Sequence, residues 1–175
     1  MKLVNANDKI LRTPTTPFDF SNPPTDPTQL ALELTNTMAS KMGMGLSAPQ
    51  VGLPYSVCVV GNPTDPDSAV ALFNPKIVNY SDEKETMEEN NLTFPGLFIK
   101  IKRSKSVRVR YANANGETQT VKFDGVTARL IQQQIDHLDG FLYTSRANAY
   151  HKQQALKQQK KLNLQRKKNA QAAIS

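Results

Sequence analysis

The sequence predicts a domain of strands set between two helices, followed by a helical tail. Three observations carry this. Leucines and methionines recur at four-residue spacing after Asp26-Pro27. Short apolar or alternating runs, separated by Gly, Pro, Asn and Asp clusters, fill Gly45 to Lys122. From Ala147 onward the chain has no Gly or Pro and is rich in Gln, Lys and Ala, all permissive in helices.

The chain has 175 residues, about one domain's worth, with 38% hydrophobic and 21% charged residues. No apolar run approaches the ~20 residues that a membrane-spanning helix needs. The first residues, Met1-Lys2-Leu3-Val4-Asn5, lack the apolar core of a signal peptide. The single cysteine, Cys58, excludes an intramolecular disulfide and a multi-cysteine zinc site. The expected location is cytoplasmic, with no membrane partner. The net charge of +7 is unevenly spread. Residues 146–175 hold eight bases and no acid, whereas the first 145 hold 14 bases and 15 acids. A near-neutral domain, 1–145, therefore carries a basic extension, 146–175, and one-sign blocks of this kind often serve interactions.

Residues 1–24, with Pro14, Pro17, Pro23 and Pro24, read as an irregular arm over the domain. Asp26 caps a helix and Pro27 suits its first position. Leu30, Leu34, Met38 and Met42 form its buried stripe, and Gly43 ends it as a left-handed cap. Ser56–Val60 and Val70–Phe73 read as short strands. Ser106–Tyr111 alternates polar and apolar, and Asn115-Gly116 marks a hairpin before Thr118–Phe123. The strip Lys100–Lys105 reads as a solvated loop. Cys58 sits in an apolar run and reads as core. A second helix runs from Val126 to Leu138, with Val126, Leu130, Gln133, Gln134 and His137 near one face. The apolar residues of the tail form no clean stripe, so its helix is expected to project from the domain. His151 on it reads as a surface residue.

Three segments together resemble the peptide deformylase family. Gly43-Met44-Gly45-Leu46-Ser47-Ala48-Pro49-Gln50 is similar to G-x-G-x-A-A-P-Q. Glu88-Glu89-Asn90-Asn91-Leu92-Thr93-Phe94-Pro95 lines up with E-E-G-C-L-S-x-P. Gln132-Gln133-Gln134-Ile135-Asp136-His137-Leu138 lines up with Q-H-E-x-D-H-L. The resemblance covers roughly residues 5–145. It implies an α+β fold with antiparallel sheets wrapped around the helix that carries the third motif, plus the basic C-terminal helix. It also implies removal of the formyl group from the N-terminal methionine of new proteins. In that chemistry a divalent ion (iron, nickel or zinc) is held by one Cys and two His at i and i+4, and activates water. A Glu between the histidines moves the proton. A Gln side chain and the amide after the Cys stabilise the oxyanion.

Carried over by position, the ligand places fall on Asn91, Gln133 and His137, and the acid/base place falls on Gln134. Gln50 and the Leu92 amide match the oxyanion donors. Met44, Gly45, Glu89 and Arg129 fall on the substrate side. Amide oxygens are weak ligands where such ions prefer thiolate and imidazole. A glutamine side chain does not take up and release a proton near neutral pH. The expectation is therefore no bound metal or other cofactor and no deformylase activity, with Gln133 and Gln134 hydrogen-bonded to Asn91 and His137. Weak metal binding by His137 and carboxylates such as Glu89 is the alternative. Arg129 either fills the family's methionine pocket or lies exposed on the helix edge. Asn90 either holds a left-handed backbone or marks a relaxed loop. Asp136 is expected to bond backbone amides.

Three functions remain open. One is a deformylase with an atypical site. The second is a silent family member whose tail binds a polyanion such as the ribosome, in the manner of some bacterial deformylases. The third is a structural subunit of a larger assembly, such as a phage particle, with tail and arm as connectors.

Overall fold

The structure is a computed structural model that describes residues 1–172. It is the expected α+β fold. In chain order it contains α1 (Pro27–Ser40), β1 (Gly45–Ser47), β2 (Val57–Asn62), β3 (Asp65–Tyr80), β4 (Lys84–Asn91) and β5 (Phe94–Ser104). β6 (Ser106–Ala112), β7 (Thr118–Asp124), α2 (Gly125–Leu138) and α3 (Ala149–Ala172) complete it. Five strands form one antiparallel sheet in the order β1-β2-β3-β6-β7, and β4 pairs with β5 as a separate hairpin.

Strand β2 explains the layering. Val57 and Val59 face α1 and join Leu30, Leu34, Met38 and Phe73 in one core. Cys58 and Val60 face the other way and join Val107, Val109, Ala128 and Ile131 in a second, under α2. A strand buried on both faces reads as an unbroken apolar run because side chains alternate. Burial pushes the Cys58 thiol up to about 12, so it stays protonated, as a core residue should. A third core lies between β5 and the tail, formed by Leu97, Ile99, Ile101, Tyr143 and Ala155.

The arm is stitched down rather than loose. Phe18 N donates to Asn74 Oδ1 at 2.7 Å, and Asn74 Nδ2 donates back to Phe18 O at 2.9 Å. Thr15 N donates to Leu138 O at 2.8 Å, tying the arm to the end of α2.

Helix α1 starts as expected: Asp26 Oδ1 accepts from Gln29 N at 2.6 Å. Its end differs. The left-handed residue is Met42, at φ 53°, and it is exposed. Met42 N and Gly43 N donate to Ala39 O and Met38 O, the paired bonds of a Schellman ending. The stripe therefore stops at Met38. Gly43 is needed for another reason: a Cβ there would stand 2.6 Å from Leu92 Cδ1.

Two further expectations are corrected. Lys100–Lys105 lies mostly in β5, where Ile101, Arg103 and Ser104 are buried and Lys100 and Lys102 point out. The first half of α3 does not project. Ala155 packs on β5, Tyr143 OH donates to Leu97 O at 2.8 Å, and Gln159 Nε2 donates to Pro95 O at 3.1 Å. Small Ala155 allows the close approach that an apolar stripe achieves elsewhere.

Candidate functional site

Four segments converge between the sheet and the hairpin. The 3-10 turn Ala48–Val51 brings in Gln50. The end of β4 brings Asn91, and the turn after it brings Thr93. Helix α2 presents Gln133, Gln134 and His137. Gln50 and His137 have no exposed surface, and Asn91, Gln133 and Gln134 are buried.

The side-chain amides have defined orientations because each meets a group that only donates or only accepts. Ser47 N–H donates to Gln50 Oε1 at 3.0 Å, so Gln50 Nε2 turns outward. It donates to Asn91 Oδ1 and Thr93 Oγ1, both at 3.0 Å. Thr93 N–H donates to Asn91 Oδ1 at 2.9 Å, which fixes Asn91 in turn. Asn91 Nδ2 then faces Gln133 Oε1 and His137 Nε2, each at 2.9 Å. The Glu89 carboxylate and the Asn90 carbonyl accept from Gln133 Nε2, both at 3.1 Å. His137 Nε2 must accept, which puts the ring proton on Nδ1. Burial pushes the His137 pKa down to about 4, so the ring is neutral at neutral pH.

Behind this cluster lies a buried ionic network. Arg103 grips Glu89 with two bonds, Nε to Oε1 at 2.6 Å and Nη2 to Oε2 at 3.0 Å. Its Nη1 reaches Asp136 Oδ2 at 2.8 Å. Arg129 Nη1 donates to Glu89 Oε1 at 2.7 Å, and Arg146 donates to Asp136 Oδ1. Charged groups this deep need such pairing, because uncompensated burial of an ion costs several kcal/mol.

A divalent ion needs lone pairs directed at it. Here the group facing His137 Nε2 is an N–H, and the same amide nitrogen blocks Gln133 Oε1. Among the described residues, no cluster of three or more His, Cys, Asp or Glu has metal-holding geometry. The residues do not fit the metal.

The structure thus brings Gln50, Asn91, Gln133 and His137 together, with Gln134 beside them; Gln134 Nε2 lies 3.4 Å from Gln133 Oε1. Gln134 also presses on the backbone of Gly45, where a Cβ would stand 2.7 Å from its Nε2. Gln134 Oε1 has no partner among the described residues. Both protons of Gln50 Nε2 are engaged by Asn91 and Thr93, so Gln50 has no free donor to offer an oxyanion. Met44, Gly45 and Leu92 line a cleft of about 340 Å³ with Asn91, Leu130 and Gln133. Glu89 and Arg129, expected on the substrate side, are placed elsewhere. They pair with each other beneath the hairpin, and Arg129 also donates to the carbonyls of Ile101 and Glu85. Arg129 is therefore neither pocket-lining nor exposed. Asn90 has no left-handed backbone. Asp136 bonds arginine side chains rather than backbone amides. Sequence reasoning missed Thr93, Arg103 and Arg146. For Arg103, an arginine at an inward position of an alternating run was the available signal.

The i, i+4 spacing on one helix face is that of helical metal-hydrolase motifs, here with Gln133 in the place of the first histidine. Comparison narrows the class. The family described as Polypeptide deformylase matches residues 1–153. The peptide deformylase of Bartonella tribocorum is 32% identical, spanning 98% of this chain and 97% of its own. That of Desulforudis audaxviator is 39% identical over 71% of this chain and 79% of its own. Among solved structures, a peptide deformylase from Synechococcus elongatus superposes with a TM-score of 0.81 at 31% identity, covering 90% of this chain and 85% of that one. The plant peptide deformylase PDF1B gives 0.83 at 29% identity, covering 96% and 91%. The chain belongs to the peptide deformylase family.

The ionic network and the buried histidine each make a measurable difference. Arg103→Met leaves Glu89 with Arg129 and Asp136 with Arg146 but removes three buried charge-assisted bonds, so urea unfolding should show a loss of about 2–3 kcal/mol. Lys105→Met, which breaks only the exposed pair with Glu83, should leave the urea midpoint nearly unchanged. The pKa of His137 falls from 6.5 in the unfolded chain to about 4 in the fold. The unfolded state takes up the proton first, so this contribution to stability is present above pH 6.5 and is lost as pH drops towards 4. Ring carbon NMR shifts of His137 should accordingly stay constant from neutral pH to about 5.

Proposed function

We propose that this chain is a non-hydrolytic member of the peptide deformylase family that acts by binding. One observation carries the reading: Asn91 Nδ2 lies 2.9 Å from both Gln133 Oε1 and His137 Nε2. The lone pairs that would hold an ion are engaged by an amide. Gln134 cannot cycle a proton, and Gln50 has no free donor. General acid–base catalysis contributes typically 10²–10⁴-fold and metal-activated water more, so these losses compound.

The tail supports the binding role. Of its eight bases, Lys152, Lys157, Lys160, Lys161 and Arg166 are exposed on α3, and none is ion-paired among the described residues. The docked first half of α3 holds this charge against the domain. A polyanion, whether ribosomal RNA or an acidic face of a larger assembly, is the matching partner class. Such a role suits the cytoplasm or a virus particle equally.

A second reading is peptide deformylase activity through an atypical site. The shared name of the relatives favours it, as do the kept Gln50, Gly43 and Gly45.

Metal content and turnover separate the two. Protein purified from metal-supplemented medium should carry no stoichiometric iron, nickel or zinc by plasma emission, and should release no formate from a formyl-methionyl peptide. Tight metal binding with formate release that a chelator stops establishes the second reading instead. The triple change Asn91→Cys, Gln133→His and Gln134→Glu should restore metal binding, with Glu89 shared between Arg129 and the new ring at 133. Removing residues 146–175 should abolish salt-sensitive co-sedimentation with ribosomes or with the assembly. Co-sedimentation that survives the truncation excludes the tail as the contact.

A further inference from the structure

Helix α1 and the arm cover one face of the five-stranded sheet only as far as Ala112. Phe18, Phe73 and Ala112 lie in the core beneath α1, and Phe20 packs over the hairpin turn at Gly116. Beyond that point the same face of β3, β6 and β7 is open. It carries Lys76 on β3, Arg108 and Arg110 on β6, and Lys122 on β7, all exposed. Asn79, Thr118 and Thr120 are exposed around them.

Strand register sets these bases against one another. Lys76 stands directly opposite Arg110, and Arg108 directly opposite Lys122. Opposed residues share a face with their Cβ atoms about 4.5–5.5 Å apart, so each like-charge pair costs stability. Arg108 and Arg110 are two residues apart on one strand, which joins the pairs into a block of four. One acid, Asp124, shares the face, and it takes Lys122 at 3.0 Å. Lys76, Arg108 and Arg110 have no ion-pair partner among the described residues. Lysine on an edge strand blocks unwanted pairing. That accounts for Lys122 on β7, but β3 and β6 have neighbours on both sides. Arg108 and Lys122 line an open groove of about 400 Å³ with Asn79, Ser106 and Val107.

Bases held together at a cost call for an anion that spans them. Among the described residues, the open part of this face pairs polar side chains only. It has no aromatic ring to stack single-stranded bases and no large apolar anchor of the kind that centres protein interfaces. A-form RNA presents phosphates beside a wide, shallow groove lined by ribose 2′-hydroxyls, which a flat polar face can meet.

We propose that this face of β3, β6 and β7 binds the backbone of double-stranded RNA, with Lys76, Arg108, Arg110 and Lys122 against phosphates and Asn79, Thr118 and Thr120 beside the ribose hydroxyls. The surface is separate from the amide cluster and from α3, so it stands or falls independently of the reading above.

The test is fluorescence anisotropy on the full chain with a labelled RNA duplex of about 16 base pairs, the DNA duplex of the same sequence, one RNA strand alone and an oligoglutamate peptide. The RNA duplex should bind most tightly, with affinity falling steeply between ~50 and ~200 mM salt. Lys76→Glu with Arg108→Glu turns both opposed pairs into attractive ones. This double change should weaken duplex binding by at least about tenfold and flatten its salt dependence. The urea midpoint should meanwhile hold or rise. The same loss should appear in a background of Lys160→Glu and Lys161→Glu, which removes charge from α3 only. Unchanged duplex affinity in the sheet variant overturns the proposal, as does a loss confined to the α3 variant. A urea midpoint that falls removes the like-charge strain on which the surface is recognised and overturns it as well. Equal or tighter binding of the DNA, the single strand or the oligoglutamate assigns the face to another partner and overturns it too.

Discussion

The backbone amide of Thr93 decides the character of this site. It can only donate, so it claims Asn91 Oδ1 and turns the Asn91 amino group towards α2. That orientation dictates the others. His137 accepts at Nε2, Gln133 accepts at Oε1, and Gln133 must then offer its own amino group to Glu89. Every member has one choice, because the chain of bonds begins at backbone N–H groups and ends at a carboxylate. Partly satisfied buried polar clusters are costly, whereas fully directed ones specify a single packing. The lone pairs between Asn91, Gln133 and His137 are engaged, while Gln134 Oε1 and His137 Nδ1 at the edge of the set have no partner among the described residues.

The ionic network beneath has a different role. It places Glu89 rigidly at the end of the amide chain. Glu89 accepts from Arg103 twice, from Arg129 and from Gln133, which nearly fills its acceptor capacity. Arg103 also fastens β5 to α2 through Asp136, and Arg146 covers the outer side of Asp136. The hairpin, the helix and the segment leading to α3 therefore meet at two carboxylates. Such networks add little net stability, because desolvation offsets most of the attraction.

Much of this is legible in the sequence. The cap at Asp26, the doubly buried β2, the β6–β7 hairpin and α2 all appear as local signals of period, turn chemistry and capping. Three motifs in order give the fold. They also locate the site, since positional matching alone places Asn91, Gln133, Gln134 and His137 together. The hidden features are long-range and charged. Arg103 looks solvated in a run of lysines, yet its alternate position turns it inward, and only its partners on β4 and α2 make burial tolerable. Arg129 pairs with a carboxylate 40 residues away. The docking of α3 leaves no mark in the sequence because Ala155 contributes closeness rather than apolar bulk, so no hydrophobic stripe announces it.

A resident metal in a small domain contributes binding free energy that is also folding free energy. A site built from amides must recover that contribution from hydrogen bonds and packing. Here Asn91 bonds both Gln133 and His137, and a second arginine, Arg129, stands against Glu89. Glu89 holds the neutral Gln133 amide on one side and two guanidinium groups, Arg103 at 2.6 Å and Arg129 at 2.7 Å, on the other. Arg129 and Gln133 are coupled through the carboxylate they share. A histidine restored at 133 would share Glu89 with Arg129, leaving less of the carboxylate to orient its ring. Recovery of the metal site then depends on how far Glu89 can serve both, which places the decisive competition one residue behind the ligands rather than among them.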